Sequence, residues 1–227
     1  MKTITGLETV QADDKKRKEE RRRRRDEVAA LLLLLMGRTT TVGVAFITDW
    51  FAGRITDTEL RSKFKDHLSE AHSEASALGR FAAGGDGTIG LKDEMDGTII
   101  AAEQDGFFKN FVQDLVNGRY ETLNDEEERV LREEMVVRRI EAYSERLRGT
   151  VNAGVIATIT ATVLSTLVSV DWVLDPGVQK HCVDCVTLAA GSPWMIGSLK
   201  QVPGDGSTEC GPFCHCELHY DGDIISF

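Results

Sequence analysis

All five cysteines of this 227-residue chain lie in its last 46 residues. They are Cys182, Cys185, Cys210, Cys214 and Cys216. The first two form a C-x2-C pair, and after 24 intervening residues the others form C-x3-C-x-C. Cysteines at this density can build a metal clip, a disulfide staple or a redox site. Each of these would constrain the end of the chain more strongly than any other sequence feature.

The cysteine spacing favours a structural zinc site. Zn²⁺ binds tetrahedrally and commonly takes pairs of thiolates from tight turns. Such thiolates can hold together a segment that is too small and too rich in glycine to form its own core. An odd number of cysteines would leave one thiol unpaired in a disulfide framework, and no βαβ pattern surrounds the C-x2-C pair as in a thioredoxin-like site. The predicted ligands are Cys182, Cys185, Cys210 and Cys216, with Cys214 as the alternative fourth ligand.

The cysteine left over would be a packing residue or a spare ligand. A catalytic zinc is not expected, because a hydrolytic site needs an open position and a nearby general base. Glu217 is the only obvious base in this part of the sequence. Histidines that could replace a thiolate are His181, His215 and His219.

A basic run near the N-terminus contrasts with the acidic remainder of the chain. The net charge of −10 argues against a protein that coats nucleic acid over its whole surface. Residues 15–25 nevertheless carry nine basic and two acidic side chains. We interpret residues 1–27 as a basic arm, which is either a solvated helix or a contact to phosphate or an acidic partner. The candidate contact residues are Lys15, Lys16, Arg17, Lys18, Arg21, Arg22, Arg23, Arg24 and Arg25.

Residues 28–170 are predicted to form a helical body. The segment 28–36 turns abruptly apolar, and its five leucines cover every side of a helix, which predicts burial against other helices or subunits. Apolar residues recur every three or four positions over 55–79, where Thr56 and Glu59 fit a capping box, and again over 101–118. In the latter helix the predicted buried side comprises Phe107, Phe108, Phe111, Val112 and Leu115. A third helix is predicted to start at the N-cap Asn124.

The charge-free segment 151–170 is just long enough to span a bilayer. Its Thr, Ser and Gly content favours a helix buried in the core or in a subunit interface, and its β-branched residues beyond about 160 also fit a strand. Neither a signal peptide nor a membrane span is expected from the apolar run after residue 28, because no clear cleavage site follows and Arg38 and Asp49 interrupt it. The sequence thus predicts a mainly α fold, with a helical body and a small zinc-ribbon-like module at 171–227.

No catalytic constellation stands out. The glycine-rich stretch 82–90 lacks the GxxxxGK[ST] arrangement that cradles phosphates. His67 and His72 are five residues apart, which is poor spacing for chelation on one helical face, and we interpret both as surface or packing residues. With no Ser–His–Asp set and no recognisable pair of carboxylates, we predict that the chain is not an enzyme.

The C-terminal cysteine pattern resembles that of a known protein family. "HCVDC" is followed by the turn "VPGDG" and then by "CGPFCHCELHY". A C-x2-C pair, a short loop with P-G-x-G, and then C and C-R-C are typical of the Mu F-like minor head proteins of tailed bacteriophages, also called phage head morphogenesis proteins. The specific resemblance covers about residues 170–220, and a looser one, through "AGRITDTEL", extends back to about 45. His215 stands where the family usually has arginine.

The resemblance implies a structural protein of the virion, assembled in the host cytoplasm. Such proteins associate with the portal or the inner capsid, so portal or major capsid protein would be the partner and the chain would be a homo-oligomer or present in several copies. The basic arm could contact packaged DNA, and neither a small-molecule substrate nor a membrane is expected. One alternative is a zinc-ribbon nucleic-acid-binding protein, although residues 171–227 hold two lysines, no arginine and eight acidic residues. The other alternative is a membrane-associated helical protein that uses residues 151–170.

Overall fold

A computed structural model describes the backbone of residues 4–162, 168–220 and 223–227. Long helices dominate this part of the chain. They are α1 (Ile4–Phe51), α2 (Asp57–Ala82), α3 (Leu91–Val116) and α4 (Glu133–Thr162). A short helix, α5 (Val183–Ala190), begins beside the first two cysteines. The predicted mainly α fold with a small cysteine-rich C-terminal module is confirmed.

The described residues also form two small antiparallel sheets. The first is a hairpin of β1 (Glu121–Leu123) and β2 (Arg129–Leu131). The second has the strand order β4-β3-β5-β6. Its strands are β3 (Ser169–Val173), β4 (Trp194–Met195), β5 (Glu217–Tyr220) and β6 (Asp223–Ile224). We call α1–α4 with the hairpin the helical body, and β3–β6 with α5 and their loops the cysteine module.

Helix α2 is the centre of the helical body. It begins with the predicted capping box, in which the Thr56 side chain accepts the Glu59 N–H and the Glu59 carboxylate accepts the Thr56 N–H. Its apolar face packs against α1, α3 and α4. Within this core the Phe64 ring stacks on Phe108, with centroids 4.0 Å apart, and meets Tyr143 edge-on at 5.3 Å. Aromatic packing therefore ties three of the helices together.

Small residues allow the helices around α2 to approach closely. A Cβ added to Gly79 would lie 2.2 Å from the carbonyl oxygen of Val151 on α4. A Cβ added to Gly97 would lie 2.3 Å from the Ser73 hydroxyl. Any side chain at these two glycines would push α4 or α3 away from α2.

Helix α1 carries both the basic run and the leucine run without a break. Val28, Leu32 and Leu35 are buried against α2 and α4, as the sequence predicts. Leu33 and Leu34 are 65% and 70% exposed, so the five-leucine run is buried on one side only.

Within the described residues, α1 is also the one helix whose length and composition would suit a membrane span, and a third of that apolar window is buried. Buried core helices and signal sequences have the same properties, so this likeness is weak evidence for a span.

Three local predictions were wrong. Asn124 does not cap a helix: its side chain accepts the N–H groups of Glu126 and Glu128 in the turn between β1 and β2, and α4 begins nine residues later. Glu127 has φ of 61° in this turn, a conformation that no helix continues. Phe107, predicted to be buried, is 60% exposed. Helix α3 also begins ten residues earlier than the sequence pattern indicates.

The charge-free segment changes structure within its length. Helix α4 continues to Thr162, and β3 begins at Ser169. Residues 163–167, which the helix prediction included, lie outside the described residues. Strand β3 runs across position 171, where the sequence suggests the module begins, and it carries the buried side chains of Val170 and Trp172 into the core of the module.

Candidate metal centre and basic helix

The C-x2-C pair lies at the start of α5. Cys182 caps this helix with an extended backbone, and its Sγ accepts the backbone N–H of Cys185 at 3.4 Å. The first turn of the helix directs the Cys185 side chain inward, where it is 1% exposed. Because residues three apart in a helical turn share one face, the two thiols lie on the same side.

The other cysteines approach this pair on a tight loop. Cys210 precedes a single 3-10 turn and Cys214 follows it. Gly211 has φ of 61°, a left-handed conformation that favours glycine, and its N–H donates to the Thr208 carbonyl at 2.7 Å. The loop therefore reverses sharply enough to present both cysteine side chains to α5.

Sulfur–sulfur distances identify the thiols that meet. Cys210 Sγ lies 3.4 Å from Cys182 Sγ and 3.5 Å from Cys185 Sγ. Cys214 Sγ lies 3.5 Å from Cys185 Sγ. Cys216 belongs to a second group of three, with Cys185 and Cys214, in which all Sγ atoms are within 4.8 Å of one another. All five predicted or alternative ligands are thus brought together, and Cys185 is common to both groups.

Three of these sulfur–sulfur separations are close to those of thiolates that share one tetrahedral metal ion. With Zn–S bonds of about 2.3 Å, neighbouring sulfurs of a tetrahedron are about 3.8 Å apart. The closest separations here, 3.4–3.5 Å, are near that value. All five cysteines are free thiols and three of them are buried. The cluster can therefore hold a metal ion, and soft thiolates suit zinc among other metals.

Two of the buried thiols, Cys185 and Cys214, resist ionisation because their pKa values are raised. Burial raises the pKa of Cys214 to about 12, and burial together with the neighbouring thiols raises the pKa of Cys185. Burial also opposes ionisation of Cys182, but hydrogen bonds from Cys185 bring the pKa of Cys182 below its ordinary value. A divalent cation would supply the positive charge that closely packed thiolates need.

A turn with two glycines fastens the cysteine module to α4. A Cβ added to Gly149 on α4 would lie 2.3 Å from the carbonyl carbon of Gly204, so the two backbones touch. The buried Asn152 side chain donates to the Pro203 carbonyl at 2.7 Å and accepts the Phe227 N–H at 2.7 Å. No sequence motif singles out this asparagine. Its one signal was that it is the only amide side chain in the charge-free segment.

The histidines considered as substitute ligands stay outside both cysteine groups in the described residues. Arg148 donates to His215 Nδ1 at 2.6 Å, and His219 Nε2 lies 2.8 Å from the Glu217 carboxylate. His181, next to the cap of α5, is in neither group. The thiols alone form the candidate site.

The nine basic residues between positions 15 and 25 of α1 divide into two sets. The exposed set contains Lys15, Lys16, Arg17, Arg22 and Arg23. The half-buried set contains Lys18, Arg21, Arg24 and Arg25. The Arg21 guanidinium lies 5.9 Å from the centre of the Tyr220 ring, and that of Arg24 lies 5.6 Å from the centre of the Phe81 ring. The basic stretch is thus part of α1, and its half-buried side chains pack partly on α2 and on β5.

Comparisons of the chain with models of known protein families, with curated protein sequences and with solved structures found no match.

Proposed function

We propose that this chain is a structural component of a tailed-bacteriophage head, associated with the portal or the inner capsid, and that its C-terminal module is held by a structural zinc ion. The observation that carries the proposal is the cysteine pattern with its intervening P-G-x-G turn, because this pattern resembles that of the Mu F-like minor head proteins. The five cysteines lie close together in two groups that share Cys185, three of the five are buried, and the turn contacts α4 at Gly149 and Asn152. In this role the chain is a scaffold and not an enzyme.

The proposed zinc ligands are Cys182, Cys185, Cys210 and Cys214. The first three lie within 4.8 Å of one another, and Cys214 makes a further 3.5 Å contact with Cys185. Cys216, which the spacing suggested as first choice, has its closest grouping with Cys185 and Cys214 and is buried beside β5. We assign it a packing role in the core of the module.

A closed set of four thiolates supports a structural role for the metal. Such a site leaves no open position for substrate or water, and zinc bound in this way contributes directly to folding. The ion would join α5 to the loop that precedes β5, two parts of the module that are about 25 residues apart in sequence. The contact of the module with α4 would then hold the metal-stabilised module against the helical body.

The exposed basic set of α1 supports a contact with packaged DNA or with an acidic partner surface. Lys15, Lys16, Arg22 and Arg23 recur two helical turns apart and therefore share one side of α1. Nearby acidic residues reduce the local charge, and Lys15 lies 4.0 Å from Glu19. Binding to duplex DNA would consequently be weak and strongly dependent on salt.

The decisive experiment is protein identification and cryo-EM on purified virions, with metal analysis of the isolated chain. We expect the protein in the head fraction near the portal vertex, and about one zinc per chain. Absence from virions would overturn the head assignment. Zinc-free protein with intact disulfides would overturn the metal assignment without affecting the other.

A further inference from the structure

Helix α3 has a second apolar face that the fold of one chain leaves uncovered. Its inner face packs on α2. On the outer face, Leu91, Met95 and Ile99 are each between 55% and 74% exposed. The same side continues with Ala102 and Gly106, both exposed. Large apolar side chains at this helical repeat on a surface are typical of a contact with another protein.

The outer face is divided into a bulky half and a small half. Leu91 and Met95 occupy the first half, and Ala102 and Gly106 the second. A Cβ added to Gly106 would meet nothing within 4 Å, so the space above this residue is open. A partner helix that presents bulky residues opposite the small half and small residues opposite the bulky half would fill this surface.

We propose that this partner is α3 of a second copy of the same chain, packed antiparallel about a two-fold axis. An axis at the level of Thr98 and Ile99 places Leu91 opposite Gly106 of the second copy and Met95 opposite its Ala102. The same two contacts then repeat on the other side of the axis, as an isologous interface requires. The order of bulky and small residues along α3 is therefore complementary to itself.

Charged residues beside this face agree with the same arrangement. Lys92 and Glu103 flank it on one side, at nearly the same angle around the helix. Across the two-fold axis, each Lys92 comes within about one helical turn of Glu103 of the second copy. Both side chains are available, because Lys92 is 71% exposed in its pair with Asp96, and Glu103 is 60% exposed at 3.8 Å from Arg146. Two symmetric ion pairs would select the antiparallel orientation.

The expected dimer is weak. One helix packed on one helix belongs to the small class of interfaces, which bury less than about 1,200 Å², so dissociation in the micromolar range is expected. Many copies held close together in an assembly would raise the local concentration and favour the contact. The inference does not depend on the proposed head function, since it concerns the purified chain in solution.

Sedimentation equilibrium of the full-length protein over a wide concentration range tests the proposal. Ile99→Glu puts two like charges together at the axis, and we expect it to raise the dimer Kd at least about tenfold. The matched control is Phe107→Glu, which adds the same charge at an exposed position of α3. This position is about 120° around the helix axis from Met95. We expect this control to leave the Kd unchanged within about twofold.

Charge reversal tests the orientation of the two helices. Lys92→Glu and Glu103→Lys should each weaken the dimer, and the double variant should recover most of the wild-type affinity because each pair is restored with opposite sign. A wild-type protein that stays monomeric at about 200 µM would overturn the proposal. So would equal effects of Ile99→Glu and Phe107→Glu, or a double variant no tighter than the singles.

Discussion

The helical body and the cysteine module are of unequal size, and they fill their interiors with different residues. In the body, three of the largest fully buried side chains are Phe64, Phe108 and Phe111. In the module, the buried interior contains three cysteines and Trp172 together with aliphatic residues such as Val170, Ile196 and Leu218. The body is therefore stabilised mainly by hydrophobic burial, whereas thiols make up a large share of the small interior of the module.

The difference indicates how each part is stabilised and how the two depend on each other. Strands of two to five residues give the module little backbone pairing of its own. The proposed metal would give it order, in addition to its contact with α4. We expect the two parts to respond separately to loss of metal and to loss of core packing, and to respond together only when their contact is changed.

The largest effect is expected from Cys185→Ser, because this thiol belongs to both groups of cysteines. Zinc binding contributes on the order of 10 kcal/mol to small folds of this kind at neutral pH. The variant should lose its metal and unfold the module, while the helical circular dichroism of the body persists. Metal analysis and the emission of the buried Trp172 would measure the loss.

The matched pair for that experiment is Cys214→Ser and Cys216→Ser. Both thiols are buried and two residues apart, yet only the first is assigned as a ligand. We expect Cys214→Ser to lose the metal and Cys216→Ser to keep about one equivalent. The reverse result would show that Cys216 completes the site.

In the body, Phe64→Ala should have the largest effect. The ring is fully buried and contacts both Phe108 and Tyr143, so its removal leaves a cavity among three helices. The expected loss in the free energy of unfolding is about 3–5 kcal/mol, measured by denaturant titration. Phe107→Ala is the control, since this exposed ring should cost less than about 0.5 kcal/mol. Retention of bound zinc in folded Phe64→Ala protein is expected; loss of zinc would contradict separate stabilisation.

The contact between the two parts is tested by Gly149→Ala. The new Cβ would lie 2.3 Å from backbone atoms of Gly204, so either α4 or the turn that contains Gly204 would have to shift. Overpacking of this kind costs about 1–3 kcal/mol. Gly37→Ala is the control, because that helical glycine has open space around it and alanine there should be neutral or stabilising by up to about 1 kcal/mol. If both variants melt like the wild type, the module does not depend on this contact.

Local features were predictable from the sequence, and features that depend on distant residues were not. The capping box of α2 and the C-x2-C turn involve residues three apart, so short-range chemistry determines them. Asn124 satisfies the same chemistry in two ways, since its side chain can cap a helix or close a turn, and the pairing of β1 with β2 decides between them. The apolar pattern of α3 was misread for a related reason: both of its faces carry large apolar residues.

The candidate site shows the same limit. Spacing identified the thiols, but Cys214 and Cys216 differ by two residues, and only the three-dimensional path of their loop distinguishes their distances to Cys185. The docking role of Asn152 depends on partners about 50 and 75 residues away. The periodicity of a sequence does not predict a side-chain contact between residues so far apart in the chain.

The smallest predicted effect is a pH dependence of the stability, which arises from a residue of the helical body. His72 is fully buried: Gln104 donates to its Nε2 at 2.6 Å, and its Nδ1 lies 2.7 Å from the Thr150 hydroxyl. Burial, with a smaller contribution from the Arg146 charge, lowers the pKa of His72 to about 3 from its ordinary value of 6.5. The native state therefore keeps the ring neutral over a pH range in which the unfolded chain binds a proton.

The sign follows from proton binding. Well above pH 6.5 the ring is neutral in both states and His72 adds no pH dependence to stability. As the pH falls below 6.5 the unfolded state gains a proton and the native state loses stability. At pH 5.5 the loss is about 1.4 kcal/mol relative to neutral pH. His72→Gln, which removes the titratable ring, should reduce this dependence in denaturant titrations at pH 7.5 and 5.5. His67→Gln should reduce it less, because burial lowers the pKa of His67 but that ring is only partly buried. An unchanged pH dependence in His72→Gln would mean that His72 is accessible to protons in the native state.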